Sequence, residues 1–156
     1  MTRSAAHFAT ARKLLRDGPN AVDCRKAVSA AYYGLFHHIC AQFSGIVLHP
    51  VDQDYARASL QAYRYLDHGS ARQRCVDTRD VRRKFPQGII AFASAFIELQ
   101  QQRILADYDP VDFVTETFAL ELIELAEAAM TAFDAEPEEA RRAFVIFVAL
   151  KPKNRT

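Results

Sequence analysis

Apolar side chains recur along most of this chain at steps of three and four residues, the period of one face of an α-helix. The clearest stripe is Ile89, Phe92, Phe96 and Leu99, and Arg103 takes the next rung. It predicts a helix over about 86–108, with Pro86 in the first turn, where its missing N–H is no loss. A longer periodic stretch, about 20–43, carries two lines. Val28, Tyr32, Leu35, Ile39 and Phe43 form the large apolar one, and Ala27, Ala31, Gly34 and His38 form a second line of mostly small side chains. Small residues on one line let another helix backbone approach closely. A mid-helix glycine, which costs about 1 kcal/mol, normally needs such a reason.

The remaining elements follow from punctuation. A first helix over about 2–16 is stopped by Asp17-Gly18-Pro19, and Ser44-Gly45 offers the long second helix a glycine C-cap. Residues 45–51 read as a loop containing Pro50; a third helix covers about 52–67, breaks at His68-Gly69 and resumes towards Cys75. The charged stretch 76–85 reads as a connection. Asp109, before Pro110 and with Asp112 in the next first turn, has the form of an N-cap for a helix over about 111–133. That helix turns Val114, Phe118, Leu122, Leu125 and Ala129 inward and Glu116, Glu121, Glu124 and Glu127 mostly outward. Pro137-Glu138-Glu139 opens a last helix, acidic at its start and with Lys151 and Lys153 at its end, the order that suits the helix dipole. Its apolar run 143–150 has a strand-like composition but no sheet to join, and it must be covered by its own bundle or by a second copy. The chain therefore predicts a single all-α domain over 1–156. Its architecture is an antiparallel up-and-down bundle of four to five helices plus a short C-terminal one.

Composition narrows the function classes. No apolar run approaches the roughly 20 residues of a membrane span, and the N-terminus has no secretory pattern. Cys24, Cys40 and Cys75 lie far apart with no C-x-x-C, which suits core thiols in a reducing cytoplasm. The five histidines include no H-x-x-x-H pair, so no metal site is expected, and no glycine-rich phosphate loop implies a nucleotide cofactor. The net charge of +1 hides segregation: residues 1–103 hold 15 basic and 8 acidic side chains, 104–140 hold 11 acidic and no basic ones, and 141–156 hold five basic and no acidic ones. Arg72, Arg74, Arg79, Arg82, Arg83 and Lys84 form a dense basic block. Such a block can bind phosphate by charge, be a solvated face, or meet the acidic helix.

The candidate chemistry sits on helical faces. A guanidinium in line with a core stripe must find acceptors, because an unpaired buried charge costs several kcal/mol. Asp107, one turn beyond Arg103, is the nearest; either the two simply pair, or Asp107 shares a polar site with Arg103 and Tyr108. Tyr33 and His37 are one turn apart, so their rings can meet, and His38 adds a second imidazole. His68 and Arg72 stand one turn apart if the helix resumes. Tyr32 belongs to the core, with its hydroxyl satisfied at the bundle edge.

RKAVSAAYYGLFHHICAQ at 25–42 resembles the segment that leads the second helix of HEPN domains, and LQQQRILADYDP, ending at Pro110, resembles the R-x-x-A-D-Y turn of that superfamily. YRYLDHGSARQRC at 63–75 looks like a segment from one of its uncharacterised branches, and the similarity covers roughly 7–130. The resemblance implies a helical bundle that dimerises, often beside a minimal nucleotidyltransferase or inside a toxin–antitoxin or defence system. It implies binding of a nucleotide, RNA or a partner protein; the alternatives are a metal-independent endoribonuclease or a plain dimerisation scaffold. In the nuclease members arginine, a gap of four to six residues and histidine form the site. Arg103 carries over, but Tyr108, Asp109 and Pro110 stand where that histidine is expected. His68 is the more distant substitute. In some toxin members a tyrosine beside the motif accepts a nucleotide from the partner transferase, and the resemblance makes Tyr108 its candidate counterpart, at a different spacing. Tyr33, His37, Arg72, Arg82 and Arg83 complete the set of expected binding residues, and Arg103, Asp107, Tyr108 and His68 are the candidates for chemistry.

Overall fold

The structure is a computed structural model, in which residues 1–48, 55–77, 80–111 and 114–150 are described. They form eight helices and no strand: α1 (Arg3–Leu14), α2 (Ala21–Val47), α3 (Ala56–Tyr63), α4 (His68–Cys75), α5 (Val81–Lys84), α6 (Gln87–Tyr108), α7 (Glu116–Ala135) and α8 (Glu138–Ala149). None of them is long and apolar enough to cross a membrane. Pro50, Asp52, Arg79, Asp112, Lys151 and Lys153, which carried parts of the sequence expectation, lie outside the described residues.

α2 is the axis of the molecule, with α1, α6 and α7 packed round it, α3 along its later turns and α8 on its flank. Its two sequence lines explain this. The large stripe of Val28, Tyr32, Leu35, Ile39 and Phe43 is buried from end to end. On the small line, a Cβ at Gly34 would sit 2.7 Å from the tip of the Phe8 ring, and the Ser4 hydroxyl donates to the Gly34 carbonyl at 2.7 Å. Glycine is thus what allows α1 to lie directly on α2. α6 runs antiparallel to α2: Arg25 meets the carbonyls of Ala106 and Asp109, Tyr32 meets Gln100, and the ring of His38 lies near Phe92. The stripe Ile89, Phe92, Phe96 and Leu99 is buried against α2, which places Arg103 at the edge of that contact. Gly88 makes the α6–α7 approach possible in the same way: its N–H donates to Glu136 Oε1 at 2.7 Å, and a Cβ there would meet the Ala132 carbonyl at 2.5 Å.

Several boundaries differ from the expectation for identifiable reasons. α2 continues through Gly45 to Val47, because the buried Ser44 hydroxyl donates to the Ser59 carbonyl of α3 and holds that last turn against it. α3 ends at Tyr63, and Asp67 is the N-cap of α4, its carboxylate accepting from Ser70 N at 2.8 Å. His68 and Gly69 are therefore the first turn of a helix, not a break. The 76–85 stretch contains α5. Asp109 does not cap α7. Its N–H closes α6 on Leu105 and its side chain accepts from Val111 N, while Thr115 provides the cap, accepting from Phe118 N. α7 accordingly begins at Glu116, not 111, and Leu125 lies 42% exposed on its outer face.

The C-terminal apolar run is a helix, and its own bundle covers it. Phe144, Val145, Val148 and Ala149 are buried, and the Arg74 guanidinium stacks 3.7 Å from the centre of the Phe147 ring while donating to the Phe147 carbonyl. This removes the packing argument for a second copy, since only Ile146 and Leu150 of that run stay exposed among its large side chains.

Replacement of Gly34 by alanine is expected to lower stability by about 1–3 kcal/mol, the range for overpacking a close contact. Gly45→Ala, where a Cβ meets nothing within 4 Å, should be neutral or stabilising. Urea unfolding of the two variants measures both; equal effects would show that α1 does not need the Gly34 gap.

Candidate functional site

Tyr32 is wholly buried in the α2–α6 contact, and an aromatic hydroxyl there needs a partner. It finds two. His68 Nδ1 lies 2.7 Å from the hydroxyl oxygen, and Gln100 Nε2 donates to the same oxygen over a long 3.4 Å. Gln100, itself buried, also donates to the His68 carbonyl at 3.0 Å. The first residue of α4 is thus fastened to α2 and α6, and its imidazole stacks on Phe36 with ring centres 3.8 Å apart. Gln100 Oε1 is buried with no protein partner among the described residues.

One turn of α6 further on, Arg103 leaves the core stripe and is held at the surface, its side chain 17% exposed. Nη2 donates to the Tyr33 hydroxyl at 2.8 Å, and Nε lies 3.0 Å from Asp107 Oδ2. The Nε–H is not aimed at that oxygen, so the contact is an ion pair without a hydrogen bond. The Ser29 hydroxyl takes the other carboxylate oxygen, Oδ1. The expected Arg103–Asp107 pairing is therefore present, and it extends to α2 through Ser29 and Tyr33. The guanidinium carbon stands 5.4 Å from the Tyr33 ring centre and 5.8 Å from that of Tyr32. Tyr33 in turn meets His68 edge-on at 5.8 Å. Arg103 and His68, 35 residues apart in sequence, share the two tyrosines between them.

Charge decides the protonation here. Burial lowers the pKa of His68, the Arg103 cation lowers it further, and Asp67 offsets this in part. At neutral pH the ring is uncharged. Burial works against the charge of Arg103, but the Tyr33 hydrogen bond and the neighbouring Asp107 outweigh it and keep the guanidinium protonated. Burial raises the pKa of Tyr32, with Arg103 opposing, so Tyr32 remains a phenol. The buried hydroxyl has no other acceptor among the described residues, so its hydrogen is assigned to His68 Nδ1, the direction that leaves no donor unpaired. The neutral imidazole then carries its proton on Nε2 and presents an N–H donor. The cluster offers donors from Arg103, Tyr33 and His68, while its one carboxylate, Asp107, is engaged by Ser29 and Arg103.

A second cluster adjoins it on the same side of α2. The Tyr63 hydroxyl pairs with His37 Nδ1 at 2.7 Å, and His37 stacks on His7 with ring centres 4.9 Å apart and planes 10° from parallel. His7 lies 5.9 Å from the Tyr33 ring, and the Arg3 guanidinium carbon is 5.5 Å above Tyr63. Burial, with His7, Arg3 and His68 nearby, brings the pKa of His37 down to about 4; burial and Arg3 also lower that of His7.

The other expected residues stand apart. Tyr108 points to solvent, 72% exposed. Arg72 and Arg82 line a groove of about 280 Å³ with Ile90, Ala93 and Ile97, among residues that take no part in the Arg103 cluster, and Arg83 is exposed. Arg74 is committed to Phe147, and Lys84 to Asp80. His38 pairs with Asp134 at 2.9 Å and is structural. The cysteines are buried free thiols; burial pushes Cys40 and Cys75 up to about 12. Among the described residues no group of three or more His, Cys, Asp or Glu could hold a metal ion. Sequence reasoning missed Ser29, Gln100, Tyr63, His7 and Arg3. Only Gln100 carried a signal, a polar residue next to Leu99 of the buried stripe that must find partners.

Comparison of the chain with models of known protein families, with curated proteins and with solved structures finds no match.

Arg103→Ala and Asp107→Ala should each destabilise the fold, and the double variant should lose less than the sum by about 0.5–2 kcal/mol, the coupling of directly interacting groups. Strict additivity in urea unfolding would show that the carboxylate does not hold the guanidinium.

Proposed function

We propose that this protein is a HEPN-like helical bundle that binds the phosphate groups of RNA or a nucleotide at the Arg103 cluster. The observation that carries this reading is the convergence of donors round Tyr33. Arg103 keeps Nη1 without a protein partner among the described residues, Tyr33 accepts from Arg103 and retains its own hydroxyl hydrogen, and His68 turns Nε2–H outward. A phosphate is an acceptor-only anion, and charge-assisted hydrogen bonds from a guanidinium are the strong kind. Tyr33 adds ring surface on which a base can stack. Dimerisation and a nucleotidyltransferase partner in a toxin–antitoxin or defence setting remain part of the proposal, and they rest on the motif resemblance alone.

A second reading, metal-independent RNA cleavage, is favoured by one observation: the histidine absent beside Arg103 in sequence has a spatial substitute in His68. In that reaction the 2′-hydroxyl proton passes to a base and O2′ attacks phosphorus. The bond to the 5′-oxygen then breaks, that oxygen taking a proton from water or from the protonated base and leaving as a hydroxyl, and a cyclic phosphate remains, with Arg103 stabilising the added charge. The Tyr32 hydrogen bond opposes it. With Nδ1 occupied by a donor, neutral His68 has no free lone pair and cannot serve as the base without exchanging tautomers. Binding is the better-supported reading.

Titration of a labelled single-stranded RNA should show affinity falling as salt rises. Arg103→Gln should weaken it by about tenfold or more, the worth of one charge-assisted contact. Charge reversal at Arg82 and Arg83 should change it far less, because those side chains face another groove or solvent. The same RNA incubated in EDTA should stay intact. Wild-type affinity in Arg103→Gln would refute the binding site, and cleavage abolished by both His68→Ala and Arg103→Ala would establish the second reading instead.

A further inference from the structure

The Arg103 cluster does not end at Tyr33. One turn along α2, about 6 Å for four residues, the same arrangement is built again from different helices. Where Tyr32 of α2 holds His68 of α4 by Nδ1, Tyr63 of α3 holds His37 of α2 by Nδ1, at the same 2.7 Å. Where Arg103 stands over the Tyr33 ring at 5.4 Å, Arg3 stands over the Tyr63 ring at 5.5 Å. Arg3 hydrogen-bonds the Tyr63 oxygen, which leaves His37 Nδ1 as the acceptor for the hydroxyl hydrogen, and in that tautomer the imidazole presents Nε2–H. His7 lies flat on His37, and no protein hydrogen bond engages its ring nitrogens among the described residues. His7, His37 and Tyr63 are each half-buried, and Arg3 is exposed. Half-buried imidazoles that leave His37 Nε2 and both His7 nitrogens without a protein partner among the described residues, stacked in parallel beside an exposed guanidinium whose hydrogen bond goes to Tyr63, are a poor way to stabilise a fold. They suit a ligand with a flat ring and a phosphate.

We propose that Arg3, His7, His37 and Tyr63 form a second nucleotide subsite next to the Arg103 cluster, so that the ligand of this face is a single-stranded oligonucleotide. This rests on the phosphate-binding reading of Arg103 given above and deepens it. Each subsite has one guanidinium for a phosphate and one imidazole N–H for a phosphate or base acceptor, and the stacked His7–His37 pair offers the base platform. A duplex keeps its bases paired and stacked inside the helix and cannot lay them on these rings, whereas a single strand can.

The test compares three ligands, a nucleoside monophosphate, a short single-stranded RNA and a duplex of the same sequence, on the full chain. Wild type should bind the single strand at least tenfold more tightly than the monophosphate or the duplex. Arg3→Gln, an exposed substitution that leaves the core untouched, should weaken single-strand binding three- to tenfold. It should also reduce the steepness of the salt dependence, by about 0.7 in the log–log slope for one lost phosphate contact. His7→Ala should weaken the single strand likewise, and Arg103→Gln should weaken both ligands. If the single strand binds no tighter than the monophosphate, or if Arg3→Gln and His7→Ala leave it unchanged, the second subsite is wrong while the Arg103 site stands. Equal binding of the duplex overturns the single-strand assignment. If wild type binds none of the three, the Arg103 reading and this one both fall.

Discussion

The hydroxyl of Tyr32 sets the terms for the rest of this structure. It belongs to the large stripe of α2 and is wholly buried, so packing fixes its position, and a buried hydroxyl left unpaired costs about 1–3 kcal/mol. The available partners are Gln100 from α6 and the imidazole of His68, which α4 must deliver at its first residue. Asp67 caps that helix and Gln100 holds its opening carbonyl, so the short, hydrophilic α4 is anchored at its beginning by one polar knot. Its far end is tied by Arg74 to α8. A segment with little apolar surface of its own is thereby placed, and with it the histidine nearest to Arg103.

The same hydrogen bond governs what the site can do. A tyrosine that donates to Nδ1 commits a neutral imidazole to carrying its proton on the outer nitrogen, and burial with the Arg103 cation keeps that imidazole neutral. The result is a surface of donors round Tyr33. Asp107 does not reverse this, since Ser29 and Arg103 occupy its oxygens. What distinguishes a binding site from a nuclease here is thus the direction of one hydrogen bond, more than the presence of arginine and histidine together.

The framework was legible because it follows helical period. The stripe ending at Arg103 is buried as read, and Gly34 on the small line of α2 does mark the close approach of a second helix. The i,i+4 pairing of Arg103 with Asp107 was equally local. What period cannot encode is which distant residue satisfies a polar group. Nothing in the chain links His68 to Tyr32, or Tyr63 to His37, because those pairs depend on how α3 and α4 return to α2. Local caps misled in a related way. Asp109 before a proline looks like a helix start, yet its backbone carbonyl is taken by Arg25 and its side chain closes a turn, leaving Thr115 to begin α7. The apolar C-terminal run suggested a second copy because the sequence does not show that α2 and α4 leave room for α8.

The central claim is that Arg103 and His68 act as one electrostatic unit across the two tyrosines. Titration of the His68 imidazole by nuclear magnetic resonance, in wild type and in Arg103→Gln, tests it most directly. A histidine whose folded pKa is lowered loses its proton at a pH below the ordinary value of about 6.5. The folded state therefore holds fewer protons than the unfolded chain in the window between the two, and this part of its stability is lost as pH falls through it. His68 is expected to titrate below 6.5, with the neutral ring protonated on Nε2. Its pKa should shift upward when Arg103→Gln removes the neighbouring cation. An ordinary His68 titration that ignores the Arg103 substitution, or a neutral ring protonated on Nδ1, would contradict that claim.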